Sequence, residues 1–340
     1  MKLSPMKKLY STAIMIFMFS ITNAQTTFQK LYSAGSITFL GEVTPTSDGG
    51  YILCGYTGTS SYDYLVSKLD ASGQIQWARH LGSWMGNEIG VKIGESLSGG
   101  YYLLGSSSSD PNSGLNLISL DVSGNILWNK TYDGGSNAYL YNPSMRQIPS
   151  GDFILSATVY DTSGMYFLML KTDSSGNLLW SKAYGAMNWD KEECYDIELC
   201  NDGGFIMVGD AEDTGIYVVK TDSNGNLMWT KKYATSSSDY IPGYAISKTS
   251  DGGYIISGMI YEISAPAYYV ALTKIDGLGN FLWGKKYTNA ASDIYISYSL
   301  VQTPDSGFAI VTSNGYYPYL IKLNSSGKSQ IGRASCRERV

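Results

Sequence analysis

The nine residues Leu69-Asp70-Ala71-Ser72-Gly73-Gln74-Ile75-Gln76-Trp77 decide the fold, because their pattern returns along the chain at a nearly constant interval. The aspartate and the tryptophan are seven residues apart in every copy. The copies run from Asp70 to Trp77, Asp121 to Trp128, Asp173 to Trp180, Asp222 to Trp229 and Asp276 to Trp283. Successive tryptophans are 51, 52, 49 and 54 residues apart. A period near 50 indicates one supersecondary unit per repeat, either a propeller blade or a solenoid coil.

A second repeated block, Asp48-Gly49-Gly50-Tyr51, predicts a tight hairpin turn, since Asp-Gly between β-rich runs favours a positive φ. With the Asp-x-x-Gly turn before each tryptophan, every repeat becomes four short strands, A to D. Strands B and C carry consecutive apolar residues, for example Val218 and Val219. Such runs are typical of a sheet covered on both faces, which favours propeller blades over an open sandwich. We therefore predict an all-β propeller of four-stranded antiparallel blades with almost no helix.

Six repeats fit in the chain, as one β-propeller over residues 25–330. Their approximate bounds are 28–76, 77–127, 128–179, 180–228, 229–282 and 283–330. The segment Phe28–Tyr32 is a lone strand D, which we expect to pair with Tyr319–Leu323 and close the ring, with Phe28 in the tryptophan position. A ring of seven or eight blades stays open as an alternative, if the chain is truncated.

The two ends of the sequence are expected to lie outside the propeller. Residues 1–24 have the basic start, short apolar run and small residues of a secretory signal, which predicts a secreted or cell-surface protein. Residues 331–340 resemble no other part of the chain, and their back-translation resembles a sequencing adapter. We interpret them as a sequencing artefact, in which case the true C-terminus is missing.

Composition excludes several classes of function. The chain of 340 residues has a formal net charge of −5, so a nucleic acid is not expected as a partner. The single histidine, His80, excludes sites that need two histidines and is expected at the surface. Cys54, Cys194 and Cys200 are expected to be free, buried thiols. No transmembrane segment follows the signal, and we expect a monomer.

The Leu-Asp-x-x-Gly-x-x-x-Trp pattern resembles the tryptophan-docking repeat of quinoprotein β-propellers. The longer pattern, with Asp-Gly-Gly-Tyr and Trp-x-Lys-x-Tyr, resembles secreted repeat propellers of Bacteroidetes-type bacteria. This resemblance implies a propeller and, in many such proteins, a C-terminal type IX secretion sorting domain. The matching residues are expected to be structural. They are Trp77, Trp128, Trp180, Trp229, Trp283 and Phe28.

Variation between repeats points to the binding face. The B–C connections vary in length, and they emerge with the D–A loops on one face, opposite the tight turns, so we expect ligands there. The candidate ligand-binding residues are Trp84, Trp189, Asp190, Asp239, Tyr240, Asp293, Tyr62 and Tyr261. Asp190, Asp239 and Asp293 occupy equivalent positions and could hold Ca²⁺, with solvated turn residues as the alternative. We expect no other cofactor and name no catalytic residue.

These observations predict a secreted, non-catalytic propeller that binds a polysaccharide or an extracellular protein through its variable loop face. Whether the protein is an enzyme stays open, with a binding role favoured. One alternative is a glycan-active or quinone-dependent propeller enzyme. Another is a structural scaffold for a missing C-terminal sorting domain.

Overall fold

The computed structural model describes residues 37–58, 61–82, 88–107, 114–135, 138–185, 191–211, 215–234, 240–263, 267–287, 296–313, 318–329 and 334–335. All regular secondary structure in these residues is β, as the sequence predicts. In this described part of the chain, no helix has the length and apolar character needed to cross a bilayer.

The strands form six antiparallel sheets of four, each consecutive in sequence. The first three blades are β1 (Ile37–Pro45), β2 (Tyr51–Gly58), β3 (Tyr62–Leu69), β4 (Ile75–Leu81); β5 (Glu88–Glu95), β6 (Tyr101–Ser107), β7 (Gly114–Leu120), β8 (Ile126–Tyr132); and β9 (Tyr139–Gln147), β10 (Phe153–Asp161), β11 (Gly164–Thr172), β12 (Leu178–Tyr184). The last three are β13 (Glu192–Leu199), β14 (Phe205–Ala211), β15 (Ile216–Thr221), β16 (Leu227–Tyr233); β17 (Gly243–Lys248), β18 (Tyr254–Glu262), β19 (Ala267–Ile275), β20 (Phe281–Tyr287); and β21 (Ile296–Gln302), β22 (Phe308–Ser313), β23 (Pro318–Leu323), β24 (Ala334–Ser335).

The first strand of each blade is the inner strand. Consecutive first strands contact one another, β1 with β5 and so on to β17 with β21. The blades form a six-bladed β-propeller, which confirms the predicted fold. Its core lies between blades, since each hydrophobic cluster joins two neighbours, as Val208 of blade 4 and Ile256 of blade 5 do. Strand β14, between two covered faces, is buried at every residue.

Both repeated turns owe their shape to an aspartate and a glycine. In the A–B turn, the Gly49 N–H donates to the Thr46 carbonyl (2.9 Å) and Gly49 has φ of +81°. In the C–D turn, Asp70 Oδ1 accepts from the N–H groups of Ser72 (2.8 Å) and Gln74 (2.9 Å). The aspartate therefore caps its own turn, as the sequence predicts.

Each repeated tryptophan packs against the C–D turn of the next blade. The ring of Trp180, half-buried, lies so close to Gly225 that a Cβ there would be 2.8 Å from it. From the same strand, the Tyr184 hydroxyl donates to the Gly225 carbonyl (2.7 Å) and Lys182 Nζ to the Asn224 carbonyl (2.8 Å). Trp77, Trp128, Trp229 and Trp283 contact the equivalent glycines. Each of these five tryptophans therefore contacts the next blade in sequence.

In four blades, a lysine near the end of strand C binds an aspartate of the A–B turn at the same end of the blade. Lys220, next to last in its strand, donates from Nζ to Asp202 Oδ2 in the A–B turn (2.7 Å) and to the Thr221 carbonyl (2.9 Å). The equivalent pairs are Lys68–Asp48, Lys274–Asp251 and Lys322–Asp305. The hydrogen bond from Lys68 lowers the pKa of Asp48 below its usual range. Each pair ties strand C to the turn between strands A and B.

The outer edge of the sixth blade differs from the expectation. Tyr319 and Leu320 pair with Ser335 and Ala334, so part of the edge predicted for the N-terminal strand is occupied by the chain's own last strand. The segment Phe28–Tyr32 lies outside the described residues.

The remaining predictions for individual side chains concern the thiols and the histidine. Cys54, Cys194 and Cys200 are free and buried, and burial raises the pKa of the Cys200 thiol to about 11. His80 is exposed on the outer strand of blade 1. Both placements agree with the sequence analysis.

Candidate functional site

The six inner strands share a β-bulge at the same height. In blade 4 the register shifts between Cys194 and Asp196, and in blade 5 between Gly243 and Ala245. The other four inner strands shift at the equivalent point. A bulge bends its strand and re-aims the side chains beside it. Because the bulge recurs, positions can be compared from blade to blade without ambiguity.

This comparison singles out two acidic residues of blade 4. The position of Glu193 is occupied in the other blades by Phe39, Ile89, Tyr141, Pro242 and Ile296. The position of Asp210 is occupied by Tyr56, Ser106, Thr158, Met259 and Ser313. Glu193 and Asp210 lie directly opposite each other on β13 and β14, at the end that leads into the loops. We call them the acid pair.

Tyrosine hydroxyls and an amide surround the acid pair. The Tyr195 hydroxyl donates to Glu193 Oε2 (2.7 Å), and Asn142 Nδ2 approaches the same oxygen at 3.5 Å. The Tyr240 hydroxyl donates to Asp210 Oδ2 (3.1 Å). Asp210 is only 3% exposed, so its carboxylate lies at the bottom of this polar cluster. The site therefore combines carboxylate acceptors with phenol donors from blades 4 and 5 and an amide from blade 3.

Burial is the main reason why the pKa values of the surrounding phenols are raised. The Tyr195 and Tyr240 hydroxyls are also held in the neutral form by the neighbouring charge of Asp210, and Tyr141 by Glu193 and then Asp210. These phenols stay protonated at neutral pH and act as hydrogen-bond donors. The Tyr141 hydroxyl is buried and has no hydrogen-bond partner within the described residues.

The backbone is distorted beside the acid pair. Asn142 has φ of +53°, and of the described non-glycine residues only Ser306 shares a positive φ. A left-handed conformation at a non-glycine residue costs free energy, and residues held in this conformation cluster at functional sites. Here it stands next to Pro143 in the bulge of blade 3 and carries the amide that approaches Glu193.

Two further tyrosine pairs flank the acid pair. On blade 3, the rings of Tyr139 and Tyr160 are stacked, with centroids 6.5 Å apart. On blade 5, the rings of Tyr261 and Tyr268 lie 4.6 Å apart. Between them, the ring of Tyr195 meets Tyr244 edge-on at 4.9 Å. Blades 3 to 5 therefore carry aromatic side chains on both sides of the two carboxylates.

Other acids of the inner strands differ from the acid pair because they are bound to cations and to the backbone. Asp196 forms an ion pair with Arg146 (3.3 Å) and accepts from the Ile246 N–H (3.1 Å). Glu42 accepts from the Ile93 N–H (2.8 Å) in the same way. These carboxylates join one blade to the next. Glu193 has no cation within 4.0 Å among the described residues.

The predicted site residues fall into three groups. Tyr240 belongs to the cluster, and Tyr261 is held to it by two backbone hydrogen bonds, 3.2 and 2.9 Å. Tyr62 stands apart on blade 1, edge-on to Tyr56 at 5.2 Å. The others, for which the structure gives no placement, lie outside the described residues: Trp84, Trp189, Asp190, Asp239 and Asp293. Within the described ranges, no group of three or more His, Cys, Asp or Glu side chains could hold a metal ion.

Glu193, Tyr195 and Tyr141 were not singled out from the sequence. A signal was present, because Tyr195, Tyr244 and Tyr298 all stand two residues before an apolar residue of strand A. Aligning the repeats on that tyrosine would have shown Glu193 as an acid in a position that is apolar elsewhere.

Comparison with known proteins establishes the fold and no more. No family model matches the chain, and no curated protein sequence matches it. The periplasmic gluconolactonase of Pseudomonas aeruginosa is 10% identical over 86% of this chain and 84% of its own, with a TM-score of 0.58. A PL25 ulvan lyase bound to -[GlcA(1-4)Rha3S]- is 10% identical over 89% and 82%, with a TM-score of 0.56.

An ancestral GH74 enzyme is 9% identical over 88% of this chain, with a TM-score of 0.57. This chain covers only 38% of that enzyme. At such identities the likeness concerns architecture alone, and all three comparisons agree that the chain is a β-propeller.

Proposed function

We propose that this protein is a secreted propeller that binds a neutral, hydroxyl-rich polysaccharide at the acid pair. The observation that carries the proposal is that Glu193 and Asp210 break the repeat together, on directly opposed positions at the loop end of one blade. Residues repeated in every blade build the scaffold, whereas residues that depart from the repeat are available to bind a ligand.

The chemistry of the cluster suits sugar hydroxyls. Carboxylate oxygens accept hydrogen bonds from sugar hydroxyl groups. The Tyr195 and Tyr240 hydroxyls donate their protons to Glu193 and Asp210, so their oxygens can accept a hydrogen bond from a sugar hydroxyl. Aromatic rings nearby offer apolar faces for the C–H faces of a sugar ring. An anionic polysaccharide would be repelled by two carboxylates and by the net charge of −5.

The test is binding of the purified protein to a panel of neutral glycans (β-glucan, xyloglucan, galactomannan and starch) and anionic ones (polygalacturonate and alginate). We expect binding to at least one neutral glycan. Glu193→Gln and Asp210→Asn should each weaken it about tenfold or more, the magnitude of a lost hydrogen bond to a charged group. Asp152→Asn, in the A–B turn of blade 3 on the opposite face, is the matched control and should bind normally.

Three outcomes would contradict the proposal. They are binding to the anionic glycans only, equal affinity of Glu193→Gln and the wild type, and capture of an extracellular protein that competes with no glycan.

A second candidate is glycoside hydrolysis, favoured by the direct cross-strand opposition of the two carboxylates. Cβ atoms of such partners are about 4.5–5.5 Å apart, and paired carboxyl groups about 5–9.5 Å apart hydrolyse glycosides. The measurement is release of reducing ends from the bound neutral glycan. An enzyme would lose turnover in Glu193→Gln by a factor of at least about a hundred while still binding, whereas a binding protein would release no sugar in either form.

A further inference from the structure

The tyrosine pair of blade 3 is exposed at the edge of the proposed site. Tyr139 and Tyr160 are cross-strand partners, 67% and 46% exposed, and their ring planes differ by only 26°. Tyr139 lies two residues before Tyr141 on the same strand, so both side chains are on one face of the sheet. The exposed rings therefore continue the surface that begins at the acid pair.

The platform that carries Tyr160 is rigid. Strands β10 and β11 are joined by a two-residue turn, with Asp161 paired to Gly164. Asp161 accepts hydrogen bonds from the Ser163 N–H (2.6 Å) and from the Tyr166 hydroxyl (2.7 Å). An aromatic ring held by a tight hairpin loses little conformational entropy when a ligand packs on it.

The opposite flank is built in a similar way. Tyr261 and Tyr268 are cross-strand partners at the loop end of blade 5, and their ring planes differ by 33°. Two backbone hydrogen bonds hold Tyr261 to Tyr240, whose hydroxyl binds Asp210. Aromatic pairs therefore lie at the loop ends of blades 3 and 5, and the two carboxylates lie on blade 4 between them.

We infer that the polysaccharide lies across blades 3 to 5 as an extended chain. Sugar units pack against Tyr139 and Tyr160 at one end and against Tyr261 and Tyr268 at the other. This inference rests on the proposed function and deepens it, because it assigns a polymer rather than a single sugar as the ligand. The central sugar is recognised by hydrogen bonds to the acid pair, and the outer sugars by apolar contact with rings.

The experiment measures affinity by calorimetry for cello-, malto- and manno-oligosaccharides of one to six units. For the wild type we expect affinity to rise with chain length over several units. The double variant Tyr139→Ala/Tyr160→Ala should lose about three- to tenfold in affinity for the hexasaccharide and nothing for the monosaccharide. Glu193→Gln should lose affinity at every length.

Two controls separate stacking from damage to the fold. Tyr160→Phe keeps the ring and should bind the hexasaccharide as the wild type does. Phe281→Ala removes an exposed aromatic side chain from the outer strand of blade 5, next to the tight turn, and should have no effect on affinity.

The outcomes distinguish the inference from the function on which it rests. If the wild type binds none of the oligosaccharides and none of the polysaccharides, both fall. If it binds a monosaccharide as tightly as the hexasaccharide, or if the tyrosine double variant binds the hexasaccharide normally, the extended site is refuted and the acid pair stands alone.

Discussion

The two partners of the Lys220–Asp202 ion pair differ greatly in exposure, so we expect their single substitutions to differ in cost. The lysine side chain is 2% exposed and the aspartate side chain 52%, although their charged atoms are 2.7 Å apart. Removing the aspartate leaves a buried ammonium group without its anion. Removing the lysine leaves a carboxylate that water can solvate. The two single substitutions should therefore differ greatly in cost.

Breaking a buried ion pair from one side costs about 3–5 kcal/mol. We expect Asp202→Asn to cost about 3 kcal/mol, the lower end, because Lys220 still donates to the Thr221 carbonyl. Lys220→Met should cost less than about 1 kcal/mol in the free energy of unfolding. The methionine side chain fills the space of the lysine methylene groups, and the half-exposed carboxylate of Asp202 is solvated by water. The double variant should resemble Lys220→Met.

The assay is equilibrium unfolding in urea, with melting temperature as a second readout. Asp202→Asn should lower the melting temperature by about 6 °C or more, from roughly 2 °C per kcal/mol in a chain of this size. Blade 2 provides a natural precedent, because Ser98 and Ser119 replace both partners together. Equal losses for the two single variants, or a double variant as unstable as Asp202→Asn, would refute the reasoning.

Three further predictions concern the scaffold. Trp180→Ala should cost about 2–3 kcal/mol in the free energy of unfolding, less than a fully buried tryptophan, whereas Trp189→Ala, outside the repeat, should change it little; equal losses would show that the repeat was read wrongly. Tyr184→Phe removes the hydroxyl that donates to the Gly225 carbonyl and should cost about 1 kcal/mol in the same urea titration. The four turn aspartates paired with lysines have lowered pKa values in the folded protein, so their stabilisation is complete above about pH 4 and is lost as the pH falls below it; a urea midpoint at pH 3 that is no lower than the midpoint at pH 5 would contradict this.

The scaffold could be predicted from the sequence because its determinants are local. Asp70, Gly73 and Trp77 lie within eight residues, and the turn they form depends on little outside them. Their repetition then fixes the number and order of strands. The contact of each tryptophan with the next blade followed from the same period.

The acid pair could not be predicted in the same way, because it depends on register. Glu193 and Asp210 belong to different strands, and a bulge after Cys194 shifts their pairing by one residue. A shift of one residue moves a side chain to the other face of a strand. Asp210 is an acidic residue next to a variable loop in the sequence, but its position opposite Glu193 depends on where the bulge lies.

The buried lysines illustrate a similar limit. The Lys-x-Asp spacing at the end of strand C was part of the repeat, for example at Lys220. Its partner Asp202 lies 18 residues earlier in a different turn. Only the folded hairpin places the two charges together, so the sequence alone did not reveal the pairs.

The docking of each tryptophan on the turn ahead of it gives every blade two unlike sides. In blade 4, one side presents the ring of Trp229, and the other presents Gly225, against which the tryptophan of the preceding blade packs. Contacts between unlike surfaces are heterologous, and identical units joined in this way form closed rings or open filaments according to the rotation per step. A single blade 4, produced by itself, therefore contains both halves of a self-propagating interface, and identical copies of it would associate head to tail.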